Sequence, residues 1–285
     1  MPELPEVETV RHGMESAICG KVLVSVQIRR YDLRVNVSSD FGQRMSQKNI
    51  KTLERRGKYI IFEFENEPDE VAILHLGMSG RVRIYAPDEA AFYQTRTHDH
   101  IILNMEDGTL LVYEDPRRFG MFYLSKVNGD GKGWADISPF STMGPEPLED
   151  TWDGSVLYNS VKGRSASIKS LLLNQSIVAG LGNIYVCEAL HIAGVNPEQR
   201  GKELVKAKCD ALAKAVKEVL IKAIEAGGSS LRDYQKTDGS MGGFQHSFRV
   251  YGREGVRCLK KGCEGIITRI SRGGRSTFYC SSCQK

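Results

Sequence analysis

Four cysteines near the C-terminus place the tightest limit on how this chain can fold. They read Cys258-x4-Cys263, then sixteen residues, then Cys280-x2-Cys283. A segment this short buries too little apolar surface to hold its own shape and needs a cross-link. Two close thiol pairs on short knuckles match a four-thiolate zinc site, whose four protein ligands leave no open coordination position. One structural Zn(2+) ion is therefore the expected cofactor. Two disulfides are the alternative, disfavoured in a reducing compartment. Cys19, Cys187 and Cys209 stand alone in apolar helical contexts and read as buried thiols. Between the knuckles, Ile266–Tyr279 alternates around Gly273-Gly274, which predicts a β-hairpin with Arg269, Arg272 and Arg275 crowding its tip. Pinned arginines suit phosphate contacts; a soluble turn would look the same.

The net charge of +4 hides an asymmetry. Residues 1–161 hold 18 Lys+Arg against 25 Asp+Glu, and residues 162–285 hold 21 against 10, so the halves carry −7 and +11. A basic half suggests a polyanion partner, although a solvated basic surface gives the same count. No apolar run approaches the ~18 residues that would span a bilayer, and the acidic start lacks a signal-peptide pattern. A cytoplasmic protein is expected.

The pattern along the chain predicts an α+β protein. Val7, Val10, Met14 and Ile18 recur at helical spacing between Pro5 and Gly20. Short strands follow at Val22–Ile28, Tyr59–Glu65, Val71–Leu76, Arg81–Tyr85, His100–Met105, Thr109–Tyr113 and Phe119–Leu124, an antiparallel sandwich or barrel. A glycine-, proline- and acid-rich stretch over 128–150 marks a boundary. Beyond it the pattern is helical: Ile168–Gln175 and Asn183–Leu190 flank Ala179-Gly180-Leu181-Gly182, and a longer stripe from Val205 to Ala223 ends at Gly227-Gly228. Residues 229–247 read as a long mobile loop. Gly180-Leu181-Gly182-Asn183 puts glycines where a phosphate backbone could approach a helix start, with Asn183 as cap and donor; glycine used only for packing is the bland reading.

The chain begins Met1-Pro2-Glu3-Leu4-Pro5-Glu6-Val7-Glu8. If Met1 is removed, Pro2 exposes a secondary amine that can attack an electrophilic sugar carbon. A terminal amine has a reference pKa of about 8 against about 10.4 for lysine, so far more of it is nucleophilic at neutral pH. Glu3 stands beside it to move protons. With Met1 retained, the Pro2 nitrogen is an inert tertiary amide.

Six motifs occur in order: Pro2-Glu3-Leu4-Pro5-Glu6-Val7-Glu8-Thr9; Arg56-Gly57-Lys58; His75-Leu76-Gly77-Met78-Ser79-Gly80; Asp115-Pro116-Arg117-Arg118-Phe119-Gly120; Gly180-Leu181-Gly182-Asn183-Ile184-Tyr185; and the four-cysteine hairpin. Over essentially its whole length the chain resembles the formamidopyrimidine-DNA glycosylases, bacterial base-excision repair enzymes. The resemblance implies a bifunctional glycosylase and AP lyase that removes oxidised purines (8-oxoguanine, formamidopyrimidines) from duplex DNA, acting as a monomer. It implies Pro2, Glu3 and Lys58 as catalytic residues. His75, Met78, His98, Arg117, Phe119, Asn183 and Arg275 are implied as DNA contacts, with Cys258, Cys263, Cys280 and Cys283 as metal ligands. Met78, Arg117 and Phe119 would fill the gap left by a flipped nucleotide, although Met78 and Phe119 also pass as core residues. Glu6 matches a family glutamate near the active site, and a favourable helix-dipole contact explains it equally. Some relatives carry glutamate where this chain has Ser79.

The implied organisation is an N-terminal catalytic β-sandwich domain over 1–130, a linker over 131–150, a helix–two-turn–helix domain over 151–228, a lesion-recognition loop over 229–249 and a zinc finger over 250–285. Two other readings stay open. One is an endonuclease VIII-like enzyme for oxidised pyrimidines, against which Leu4, Val7 and the complete Met78/Arg117/Phe119 set speak. The other is a non-catalytic zinc-dependent DNA-binding protein, which has no need of the Pro2-Glu3 start.

Overall fold

The computed structural model describes residues 2–127, 133–230 and 234–285. Three expectations fall on the rest: the removable Met1, residues 128–132 at the head of the boundary stretch, and residues 231–233 of the loop lie outside the described residues. The chain forms two compact units, Met1–Thr142 with Ala226–Gly243, and Met143–Glu225 with Phe244–Lys285.

In the first unit, helix α1 (Leu4–Ile18) buries Leu4, Val7, Val10, Met14 and Ile18, the stripe its sequence spells. There follow β1 (Val22–Ile28), α2 (Phe41–Met45), β2 (Lys48–Arg56), β3 (Tyr59–Phe64), β4 (Glu67–His75), β5 (Arg81–Tyr85), the single turn α3 (Pro87–Ala90), β6 (Asp99–Met105), β7 (Leu110–Glu114) and β8 (Met121–Lys126). The strands run in the order β5-β7-β6-β1-β2-β3-β4-β8, every pairing antiparallel. β1 and β2 pair only through Val22–Asn49 and Leu23–Lys48. There the strands divide into the two layers of the expected sandwich, with Met14, Leu23, Phe41, Phe62 and Phe122 in one core. Two departures matter. β2 lies where no strand is expected, and β8 starts at Met121, which leaves Phe119 in the preceding loop.

In the second unit, α4 (Gly154–Val161) starts at Asp153, whose carboxylate accepts the N–H groups of Ser155 and Val156 at 2.8 Å. Then come α5 (Ile168–Leu172), α6 (Asn183–Ala193), α7 (Lys206–Glu225) and the hairpin β9 (Ile267–Arg272) and β10 (Arg275–Cys280). α5 stops short of the expected Gln175, because that side chain ties the turn: its Nε2 donates to the Leu181 carbonyl at 3.0 Å and its Oε1 accepts the Gly180 N–H at 2.8 Å. No helix of the described residues is long and apolar enough to cross a membrane.

One buried carboxylate joins α6 to the segment leading into the hairpin. Glu188, 1% exposed, accepts the backbone N–H groups of Arg249 at 2.9 Å, Val250 at 3.0 Å and Tyr251 at 2.8 Å. Glu188→Ala strands these donors. It is expected to lower the unfolding free energy in urea by roughly 3 kcal/mol or more, whereas a loss under about 1 kcal/mol would show that water replaces the carboxylate.

Candidate catalytic and nucleic-acid-binding site

The start of α1 is sequestered. Pro2 is buried, and Glu3 and Glu6 are 2% and 1% exposed. Glu6 accepts the Glu3 N–H at 2.9 Å on one carboxylate oxygen. On the other it accepts the Ser229 N–H at 2.8 Å and its hydroxyl at 2.9 Å. Glu6 thus does more than meet the helix dipole. It fastens the residues around Pro2-Glu3 to the beginning of the 229–247 segment. That segment is irregular, but its described part is tied down: Tyr234 is 5% exposed and donates to the Gly227 carbonyl at 3.2 Å, and the Thr237 carbonyl accepts the Ile84 N–H at 3.0 Å.

A second cluster gathers at one end of β3 and β4. Lys58 sits in the two-residue turn between Arg56 and Tyr59, where Gly57 takes φ 56°. His75 ends β4, pairs with Tyr59 and lies against its ring in a tilted contact, centroids 4.6 Å apart. Its Nδ1 accepts the Gly77 N–H at 3.0 Å, so in the neutral ring the proton is on Nε2. Burial, reinforced by the charges of Lys58 and Arg34, pushes the imidazole down to about 4 from its ordinary value, with Asp115 opposing. The folded value lies below the unfolded one, so His75 contributes its full stability above about pH 6.5. That contribution is lost as pH falls toward 4, by up to about 3 kcal/mol. Unfolding titrations should show this acid limb, and His75→Gln should flatten it between those values.

A third cluster presents apolar side chains to water. Met78 and Phe119 are 37% and 41% exposed, so neither belongs to the core. The Arg117 guanidinium lies over the Phe119 ring at 4.8 Å. The two loops interlock: Gly77 has φ 63°, and a Cβ there would land on the backbone of Phe119 and Gly120. Fully buried Asp115 organises them. One of its oxygens accepts the Ser79 hydroxyl at 2.5 Å, and the other accepts the Tyr113 hydroxyl at 3.1 Å and the Gly120 N–H at 2.8 Å. Ser79, 2% exposed, also accepts the Arg117 N–H at 3.1 Å. Ser79 is therefore a brace for Arg117. His98 is exposed, and its carbonyl accepts the Asp115 N–H at 3.1 Å, which sets it beside the same loop.

The second unit holds Asn183, Arg275 and the cysteines. The cap of α6 is Gly182, not Asn183. Asn183 is instead the first helical residue, and its Nδ2 donates to the Ser276 carbonyl at 2.8 Å. The same carbonyl accepts from Lys169 at 3.0 Å, a 5% exposed lysine that also reaches the Thr277 hydroxyl at 2.7 Å. Both side chains fix the backbone next to Arg275. Arg272 pairs with Glu198 at 2.7 Å and Arg269 with Glu254 at 3.6 Å. Arg275 makes no ion pair among the described residues. Lys169, Glu188 and Arg34 were not singled out from the sequence, because each acts through partners distant along the chain.

All four cysteine sulfurs of the hairpin lie within 4.8 Å of one another. Cys258 and Cys283 are 3.8 Å apart and Cys263 and Cys280 3.7 Å, too far for disulfides. Sulfurs about 2.3 Å from a tetrahedral ion would stand about 3.8 Å apart. The Lys260 N–H points at Cys258 and the Gly265 N–H at Cys263, each at 3.4 Å, as befits anionic sulfur. The residues fit a thiolate-bound metal ion.

A helix-led antiparallel sandwich, joined to a helical unit that ends in a four-cysteine hairpin, defines a class with known members. Residues 1–122 match the formamidopyrimidine-DNA glycosylase N-terminal domain and residues 143–235 the formamidopyrimidine-DNA glycosylase H2TH domain. Curated formamidopyrimidine-DNA glycosylases of Ruegeria pomeroyi and Phenylobacterium zucineum are 42% and 45% identical, with both chains covered over 100% of their length. Among solved structures, a mutant Lactococcus lactis FPG in complex with a Fapy-dG containing DNA superimposes with TM-score 0.87 at 34% identity. MutM in complex with carbocyclic 8-oxo-G containing DNA does so with TM-score 0.86 at 34% identity. Both comparisons cover 100% of each chain. The chain belongs to the formamidopyrimidine-DNA glycosylase family.

Proposed function

We propose that the protein excises oxidised purines from duplex DNA and cleaves the resulting abasic site through Pro2. As a member of its family it is a DNA glycosylase of base-excision repair. The observation that carries the finer reading is the buried Pro2-Glu3 start, held by Glu6 and Ser229 at the head of α1. With Met1 removed, the Pro2 nitrogen attacks C1′ of a flipped nucleotide and the C1′–base bond breaks. Glu3 protonates the ring oxygen, which opens the sugar and leaves an iminium between Pro2 and C1′. The iminium acidifies the C2′ hydrogen, so elimination expels the 3′-phosphate and then the 5′-phosphate. Flipping costs a few kcal/mol.

Lys58 and His75, side by side, are assigned to phosphates flanking the lesion, and His75 would offer Nε2–H. Exposed Met78 and Phe119 are suited to wedge into the vacated stack, while Arg117 reads the orphaned base edge. Asn183, Arg275 and His98 are assigned to further DNA contacts. The metal is assigned as one Zn(2+), whose role is to hold the hairpin that carries Arg275. The functional division is assigned as the sequence suggests: catalytic sandwich 1–130, linker 131–150, helical DNA-binding domain 151–228, lesion loop 229–249 and zinc finger 250–285.

Substrate choice tests the purine assignment. Duplexes with 8-oxoguanine opposite cytosine should be cleaved at least tenfold faster than duplexes with thymine glycol. The reverse order would move the chain to the pyrimidine branch.

A further inference from the structure

His191 is 1% exposed, on the last turn of α6. Its Nε2 lies 3.2 Å from Cys258 Sγ. Its Nδ1 is buried with no hydrogen-bond partner among the described residues. These facts fix the tautomer. A proton on Nδ1 would be a buried donor with no acceptor, and Nε2 would turn a lone pair toward an electron-rich sulfur. A proton on Nε2 gives a directed N–H···S bond and leaves only an unmet acceptor, the cheaper defect.

The metal centre has a use for such a donor. Four thiolates around a divalent ion leave two excess negative charges, and the hairpin packs into an apolar cluster with Cys187, Val250, Ile267 and Phe278. Buried excess charge is tolerated where N–H groups point at it. The knuckle amides of Lys260 and Gly265 supply two such groups at 3.4 Å. We propose that His191 supplies a third, from outside the hairpin, and acts as a positioning residue that holds the Cys258 thiolate on the ion. α6 would then touch the hairpin at both ends, through Asn183 on Ser276 at its start and His191 on Cys258 at its finish. This rests on the metal reading given above.

The test uses full-length protein with its metal bound and compares wild type, His191→Phe and His191→Gln. Phenylalanine keeps the ring volume without the donor. Glutamine carries its amide nitrogen the same number of bonds from Cα as Nε2. Metal content is measured first, then the rate of zinc transfer to excess pyridylazoresorcinol, then the thiolate-to-metal charge-transfer band of cobalt-substituted protein. His191→Phe should release zinc about tenfold faster or more and move the cobalt band to longer wavelength, because a thiolate without its donor gives up charge more readily. His191→Gln should restore both to near wild type. Unchanged release and an unchanged band in His191→Phe overturn the proposal, as does a glutamine variant that behaves like phenylalanine, since packing alone would then explain the residue. Wild-type protein without stoichiometric metal overturns the metal reading, an outcome told apart before release begins.

Discussion

Pro2→Gly is expected to reduce cleavage of an 8-oxoguanine duplex about a hundredfold or more. Affinity for a duplex bearing a stable abasic analogue should stay within about threefold. Borohydride trapping reads the step directly: wild-type protein becomes covalently joined to damaged DNA, and the variant joins it in traces. Glycine keeps a primary terminal amine, so some reactivity persists. A chain retaining Met1 should trap nothing, because the Pro2 nitrogen is then an amide without a free lone pair. N-terminal mass determination must accompany the assay. Full cleavage by a chain with a blocked first nitrogen would remove Pro2 from the chemistry.

Metal removal has the second large effect. Apparent metal-binding energies in small thiolate sites run to about 10–16 kcal/mol, and that binding energy is folding energy for the segment. The hairpin core is little more than Val250, Ile267 and Phe278 around the sulfurs, so apolar burial cannot replace the ion. Chelation, or Cys280→Ser, should unravel residues 258–283 and weaken DNA binding at least about a hundredfold in a mobility-shift assay. The sandwich belongs to the other unit and should keep its near-ultraviolet signal. Undiminished DNA binding by metal-free protein would deny the hairpin its assigned part.

How far the sequence could be read follows from where each signal is stored. Helices α1 and α7 and the hairpin were legible because period and spacing are local properties of the chain. β2 was not. A register irregularity between Ile50 and Thr52 breaks its alternation, and Lys48 is buried there with Glu67 and Glu70 paired to it. Met78 and Phe119 carry the composition of core residues, and only the fold shows them in water. Asn183 looked like a cap because it follows a Gly-x-Gly turn, yet its side chain crosses to a strand nearly a hundred residues on. Lys169, Glu188 and His191 escape for the same reason, as does the bracing role of Ser79: each is defined by a partner that pairwise reading of neighbours cannot supply.

The Asp115 carboxylate has a consequence for the proposed entry of this edge into DNA. Four groups converge on it, so the two loops bearing Met78, Arg117 and Phe119 take their shape during folding. On the reading proposed above, in which these side chains enter the duplex, the entropy of ordering that edge is already spent before encounter, which lowers the cost of insertion. The remaining cost would lie in the nucleic acid, so pairs that yield most readily to bending and unstacking would admit the edge first, before Arg117 meets the orphaned base.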